Sequence, residues 1–198
     1  MNEYLPPAFV IALQNAEQRF RWRGVRCVKN PFDMQIMSML LWREKPKTII
    51  EVGSCDGGSA LWMRDIMLLH GVECRILSVD LKPPAVTAEG VGFLEGDGRD
   101  LAAVFSDRFM AEIARPLLIV EDADHSEETT SAVLQFWMRW AQPYEMIVIE
   151  DGTPCPGPHA AVTKFMNEHG GEAVIDYSYC NFFGPNLTLF RDGYIRRA

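Results

Sequence analysis

From Thr48 onward, short aliphatic and β-branched runs alternate with longer stretches whose apolar residues recur every three or four positions. The runs at 48–52, 75–79, 91–94, 117–120 and 146–149 read as buried strands, and the stretches at 59–69, 101–113, 127–140 and 159–169 read as helices. Strands interleaved with helices of this length predict an α/β fold, a doubly wound parallel sheet with helices on both faces. Two later runs, 172–177 and 187–190, are expected to form a terminal hairpin that gives the sheet an antiparallel edge. Ahead of the sheet, Phe9, Val10, Leu13, Ala16 and Phe20 mark an amphipathic helix from Pro7 to about residue 21. A second helix is expected after Asn30-Pro31, with Met34, Met37, Leu40 and Leu41 on its apolar face, ending before Pro46.

Val133, Phe136, Trp137 and Trp140 share one helical face and read as core. With 198 residues, 48% of them apolar and 23% charged, the chain suits a single domain, 1–198, whose residues 1–45 form a helical lid or interface segment. A net charge of −8 argues against nucleic acid or an anionic membrane surface as the main partner. Arg19, Arg21, Arg23, Arg26 and Lys29 are the local exception, read as a solvated helix end and loop. The cysteines Cys27, Cys55, Cys74, Cys155 and Cys180 are odd in number and form no CxxC pair, which fits reduced thiols and a cytoplasmic location. No basic leader and no apolar run of about 18 residues is present, so no membrane span is expected. The apolar amino-terminal helices offer a surface for pairing into a homo-oligomer.

The first strand-to-helix turn reads Glu51-Val-Gly53-Ser54-Cys55-Asp56-Gly57-Gly58-Ser59. Glycines here let the backbone approach a ligand closely, so Glu51, Gly53, Ser54, Gly58 and Ser59 are candidate cofactor contacts. Cys55 stands where a dinucleotide fingerprint needs its second glycine, which disfavours a pyrophosphate-bearing nicotinamide cofactor and an oxidoreductase. Asp80 closes the second strand, placed to accept hydrogen bonds from both ribose hydroxyls of a nucleoside, and Asp97, in Gly96-Asp97-Gly98, follows the third, placed to flank the adenine.

Two acidic clusters close the next two strands: Asp122-Ala-Asp124-His125 and Glu150-Asp151. Carboxyl ends of adjacent parallel strands converge in the crevice where open α/β sheets bind ligands. Acids without cysteine or paired histidine ligands favour a hard cation such as Mg²⁺, with Asp122, Glu150 and Asp151 as the candidate ligands. The alternative is that these acids cap the helices that follow. His125 is placed to act as a general base on a hydroxyl, or else as a helix cap.

These segments together resemble the cephalosporin hydroxylase-like methyltransferases, a class I family that includes rhamnosyl and macrolide-sugar O-methyltransferases. The resemblance runs through Trp22-Arg-Gly-Val25, Asn30-Pro-Phe-Asp33, Ile50-Glu-Val-Gly-Ser54, Gly57-Gly-Ser-Ala60, Asp122-Ala-Asp-His-Ser126, Ile149-Glu-Asp-Gly152 and Leu187-Thr-Leu-Phe-Arg-Asp-Gly-Tyr-Ile-Arg196. It implies a Rossmann-like methyltransferase sheet, S-adenosylmethionine as donor bound also by Asp122, Mg²⁺ on Asp122, Glu150 and Asp151, and His125 as base. The implied acceptor is a small hydroxylated molecule, a sugar or natural product. A catalytically idle S-adenosylmethionine-binding scaffold is the alternative outside enzymes.

Overall fold

Valine and isoleucine runs with no polar alternation have to be covered on both faces, and the computed structural model, which describes residues 6–198, shows how. Five strands, β3 (Thr48–Val52), β4 (Arg75–Asp80), β5 (Val91–Glu95), β6 (Leu117–Glu121) and β7 (Met146–Ile149), run parallel. Preceding them are α1 (Pro7–Glu17), the two-residue strands β1 (Arg21–Trp22) and β2 (Val25–Arg26), and α2 (Pro31–Glu44). Between and after them lie α3 (Gly58–Leu69), α4 (Leu101–Val104), α5 (Asp107–Glu112), α6 (Glu127–Trp140), α7 (Pro156–His169), β8 (Ala173–Ile175), α8 (Tyr177–Cys180) and β9 (Tyr194–Arg197). The seven-stranded sheet has the order β5-β4-β3-β6-β7-β9-β8, with β9 antiparallel to both its neighbours. Residues 1–5, the start of the expected lid segment, lie outside the described residues.

Alternate residues of each strand feed two separate cores. Ile49, Leu118, Val120 and Val148 meet Met37, Leu40, Leu41, Trp62 and Met63 of α2 and α3. Ile50, Val52, Ile119 and Ile147 meet Val133, Leu134, Trp137, Val162 and Phe165 of α6 and α7. The apolar faces read for α2 and α6 are thus core faces, with Phe136 and Trp140 packed at the core margin.

Four expectations shift. The first helix stops at Glu17, and the arginine-rich segment behind it is the β1–β2 hairpin, turned by Arg23 (φ 51°) and Gly24 (φ 82°). The expected helix 101–113 breaks at Phe105, because the Ser106 hydroxyl accepts from Phe109 N (3.2 Å) and starts a new helix. The terminal edge exists, but its last strand is 194–197 rather than 187–190. Leu187 to Phe190 is instead held as a non-strand segment against the start of α2, so its apolar side chains serve the core without ladder bonds. The Asn30 side chain caps α2 by accepting from Phe32 N and Asp33 N and donates to Asp33 Oδ2 at 2.5 Å. Fully buried Asp33 also accepts from the Thr188 hydroxyl and from Leu189 N.

Three donors therefore converge on the two oxygens of Asp33. Asparagine there would turn its NH₂ toward the Thr188 hydroxyl, which then loses its carboxylate acceptor, so Asp33→Asn is expected to cost about 1–3 kcal/mol despite its near-identical shape. Urea denaturation checks this, and unchanged stability would mean that the clasp is not holding the 187–190 segment.

Candidate functional site

The turn after β3 is shaped by what crosses it. A Cβ on Gly53 (φ 102°) would stand 2.0 Å from Asp122 O, and one on Gly58 would stand 2.1 Å from Arg26 O. Gly53 thus lets the Asp122 loop lie against the turn, and Gly58 lets the β1–β2 hairpin sit on α3. Backbone bonds from Gly53 N to Val79 O, Asp122 N to Val52 O and Glu150 N to Glu121 O (2.8, 2.8 and 3.0 Å) continue the ladder past the strand ends. They set Gly53, Asp122 and Glu150 side by side along one rim.

Two clefts open on that rim and share Cys55, Asp122 and Ala123. The first, about 250 Å³, has apolar walls from Val52, Val79 and Leu81, with Gly53, Asp80, Asp97 and Asp122 around it. Asp80 Oδ2 accepts from Ser54 N and Cys55 N (2.9 and 3.1 Å), so the carboxylate is fixed by the turn it faces. Asp97 is paired with Arg99 (2.6 Å), which holds its pKa down at about 2. The second cleft, about 340 Å³, is lined by Gln14 and Glu17 of α1, by Gln18 just after it, and by Lys29, His125, Glu150 and Asp151.

Four of the expected cofactor contacts do not line the first cleft. Glu51 is fully buried, and its two oxygens accept the hydroxyls of Ser59 and Ser78. Ser54 contributes its backbone N–H to Asp80, while its hydroxyl turns inward to Ser78 (2.7 Å). Gly58 serves the hairpin, as above. Glu51, Ser54, Gly58 and Ser59 are spent on packing and on an internal polar cluster, a role that residue type alone does not separate from ligand contact. Burial, opposed by Lys29 and by the two hydroxyl donors, pushes the Glu51 pKa up to about 7.

The acidic clusters come together in part: Asp122 and Asp151 fall in one group of ligand atoms with His125, and Glu150 is not in that group. Asp122, His125 and Asp151 each place a ligand atom within 4.8 Å of the others, and His125 Nε2 lies 3.4 Å from Asp151 Oδ2. His125 and Asp151 both sit in the left-handed region (φ 57° each), where non-glycine residues persist only when their surroundings over-determine them. Asp124 is different in kind: it accepts from Ser126 N (3.1 Å) and Ser126 Oγ (2.7 Å), so it braces the residue that caps α6 and does not cap the helix itself.

Lys29 is the residue the sequence reading misplaced. Its side chain is 5% exposed, and its ammonium bridges Asp122 Oδ2 and Glu150 Oε2 (2.8 Å to the latter). Burial pulls its pKa down, but Asp122 and Glu150 outweigh that and hold it well above the usual lysine range. The surrounding acids remain in excess: burial and then Asp122 raise Glu150 well above its usual range and Asp151 to about 6, while burial and then Asp151 raise Glu17 to about 7. Glu150 Oε1 is buried with no hydrogen-bond partner among the described residues. A surplus of oxygen acids around one ammonium, with an orphaned carboxylate oxygen, is a donor set that fits a hard divalent cation.

The model of the Rhamnosyl O-methyltransferase/CmcI family matches residues 14–198. The chain belongs to that family. It is 27% identical over 190 residues to the rhamnosyl O-methyltransferase of Mycobacterium leprae (strain TN), covering 89% of this chain and 82% of that protein. The solved structure described as cmcI-N160 SAH is 26% identical, with a TM-score of 0.71 over 91% of this chain and 84% of that one. The structure described as cmcI-D160 Mg-SAM has a TM-score of 0.73 at 24% identity over 91% of this chain and 77% of that one, a likeness of fold. Membership sets aside the nicotinamide oxidoreductase. Among the described residues, no helix is long and apolar enough to cross a membrane.

Glu51 supplies a pH test. Its folded pKa is raised from 4.5 to about 7, so the folded state binds the extra proton and wild-type stability falls as pH rises through that window, levelling above it. Glu51→Gln, whose amide the Ser59 and Ser78 hydroxyls are able to satisfy, should gain on wild type by on the order of 1–3 kcal/mol between pH 5 and pH 8. Urea denaturation at both pH values measures the difference, and a constant offset would contradict the buried placement.

Proposed function

We propose that this chain catalyses Mg²⁺-dependent transfer of the methyl group of S-adenosylmethionine to a hydroxyl of a sugar or related natural product. The observation that carries the reading is the meeting of an apolar-walled cleft and a polar, acid-lined cleft at Asp122, with His125 and Asp151 on the polar side. Donor and acceptor can then approach from opposite sides of one carboxylate. A related structure at 26% identity holds SAH, the product that the donor leaves, and the M. leprae relative carries the name of a rhamnosyl O-methyltransferase.

Gly53, Asp80 and Asp97 would hold the donor, with Asp80 toward the ribose and Asp122 beside the sulfonium. Acids at this rim favour a cationic donor over its neutral product. Asp122, Glu150 and Asp151 would hold Mg²⁺, which when bound makes an acceptor hydroxyl more acidic and fixes its orientation. Gln14, Glu17, Gln18 and Arg26 give the acceptor cleft a wall of amide and charged groups suited to a polyol. His125 Nε2, which faces Asp151 and the cleft while Nδ1 is buried, takes the hydroxyl proton as the oxygen attacks the methyl carbon, the carbon–sulfur bond breaks, and S-adenosylhomocysteine departs. The reaction belongs in the reducing cytoplasm, where Cys27, Cys55, Cys74, Cys155 and Cys180 stay free thiols.

The test separates binding from chemistry. Asp80→Ala should weaken S-adenosylmethionine binding by about 1.5–3 kcal/mol in calorimetry. His125→Ala should keep donor and metal affinity but lose roughly 10²- to 10⁴-fold in transfer rate to a sugar acceptor. Near-normal turnover in the histidine variant would make His125 a structural residue. Donor binding without any S-adenosylhomocysteine formed in wild type, across a panel of hydroxylated acceptors, would favour the idle binding protein.

A further inference from the structure

Lys29 is fixed by its neighbours before its side chain does anything. Cys27 N donates to Phe20 O and Lys29 N to Cys27 O (3.1 and 3.0 Å), and Asn30 is locked as the cap of α2. The hairpin on one side and the helix on the other aim the lysine stem at the carboxyl ends of β6 and β7. Its ammonium then takes one oxygen each from Asp122 and Glu150, two of the three acids of the divalent site. The third, Asp151, lies in the group of ligand atoms that also includes Asp122 and His125. An ammonium and a divalent cation sharing Asp122 and Glu150 would stand a few ångströms apart and repel each other.

We propose that Lys29 is an internal placeholder for the divalent cation: its ammonium neutralises Asp122 and Glu150 when no metal is bound, and metal loading must displace it. This inference rests on the metal-dependent reading of the same site. The displaced ammonium has somewhere to go, because Lys29 already lines the polar cleft, where Glu17 offers a carboxylate from α1. The placeholder keeps the acid cluster folded without metal and weakens the metal that replaces it. Metal occupancy is thereby coupled to the charge lining the acceptor cleft.

The experiment is Mn²⁺ binding, read by the electron paramagnetic resonance signal of free Mn²⁺, on the full-length protein without donor or acceptor. Lys29→Met removes the competing charge and should bind Mn²⁺ at least about tenfold more tightly than wild type. Lys29→Arg keeps the charge and should bind no more tightly than wild type. Circular dichroism accompanies each titration. A methionine variant that is unfolded alone and regains the native spectrum on adding Mn²⁺ supports the proposal in the same way. Equal or weaker binding by a folded Lys29→Met overturns the proposal and leaves the metal site standing. A variant that stays unfolded in saturating Mn²⁺ also overturns it, because the ammonium would then be a strut that metal cannot replace. Absence of binding by both wild type and Lys29→Met removes the metal reading together with the placeholder.

Discussion

Crowding of carboxylates at the ends of buried strands is the constraint on which the rest of the structure depends. Glu51 stands on β3, Asp122 and Glu150 follow directly on the neighbouring strands β6 and β7, and Asp151 is next in the chain. Desolvation penalises every one of these charges, and in the described residues one ammonium, Lys29, sits among them. The chain answers the excess in different ways. Glu51 is given two hydroxyl donors and a raised pKa, whereas Asp122 and Glu150 share the lysine, and Glu150 keeps one oxygen unused. This surplus of acid is a tension that the cation proposed for the site would relieve.

Topology turns that tension into an arrangement useful for chemistry. Parallel strands bring their carboxyl ends to one edge, and a residue without Cβ at Gly53 lets the Asp122 loop come close enough to be shared by two clefts. Left-handed backbone at His125 and Asp151 brings imidazole and carboxylate together at the head of the polar cleft. Neither conformation is needed to start α6 or α7, since Ser126 and the proline at the start of α7 do that.

The strand and helix alternation was legible in the sequence because buried parallel strands and amphipathic helices have different periods. The acids at 122, 150 and 151 were legible for a related reason, since each ends an apolar run. Elements shorter than the period of any pattern were not. The β1–β2 hairpin has two residues per strand, and only Arg23-Gly24 signals its turn. The last strand, Tyr194–Arg197, was passed over for the more apolar run at 187–190, whose burial comes instead from Asp33 and its hydrogen bonds. Lys29 follows four arginines, so it read as solvated, although the apolar pair Cys27-Val28 directly before it points inward. Its partners are distant in sequence, and no local pattern reports them. Glu51 is the converse case, a residue of the glycine-rich turn that the fold buries for its own use.

A crystal structure of the protein grown with S-adenosylhomocysteine and Mn²⁺ tests the central claim, two ligands meeting at one shared carboxylate, most directly. The account predicts an anomalous Mn²⁺ peak in coordination contact with Asp122 and Asp151, with the nucleoside between Asp80 and Asp97 and its sulfur facing the cleft of His125. A nucleoside outside that cleft, or a metal bound away from Asp122, would contradict it.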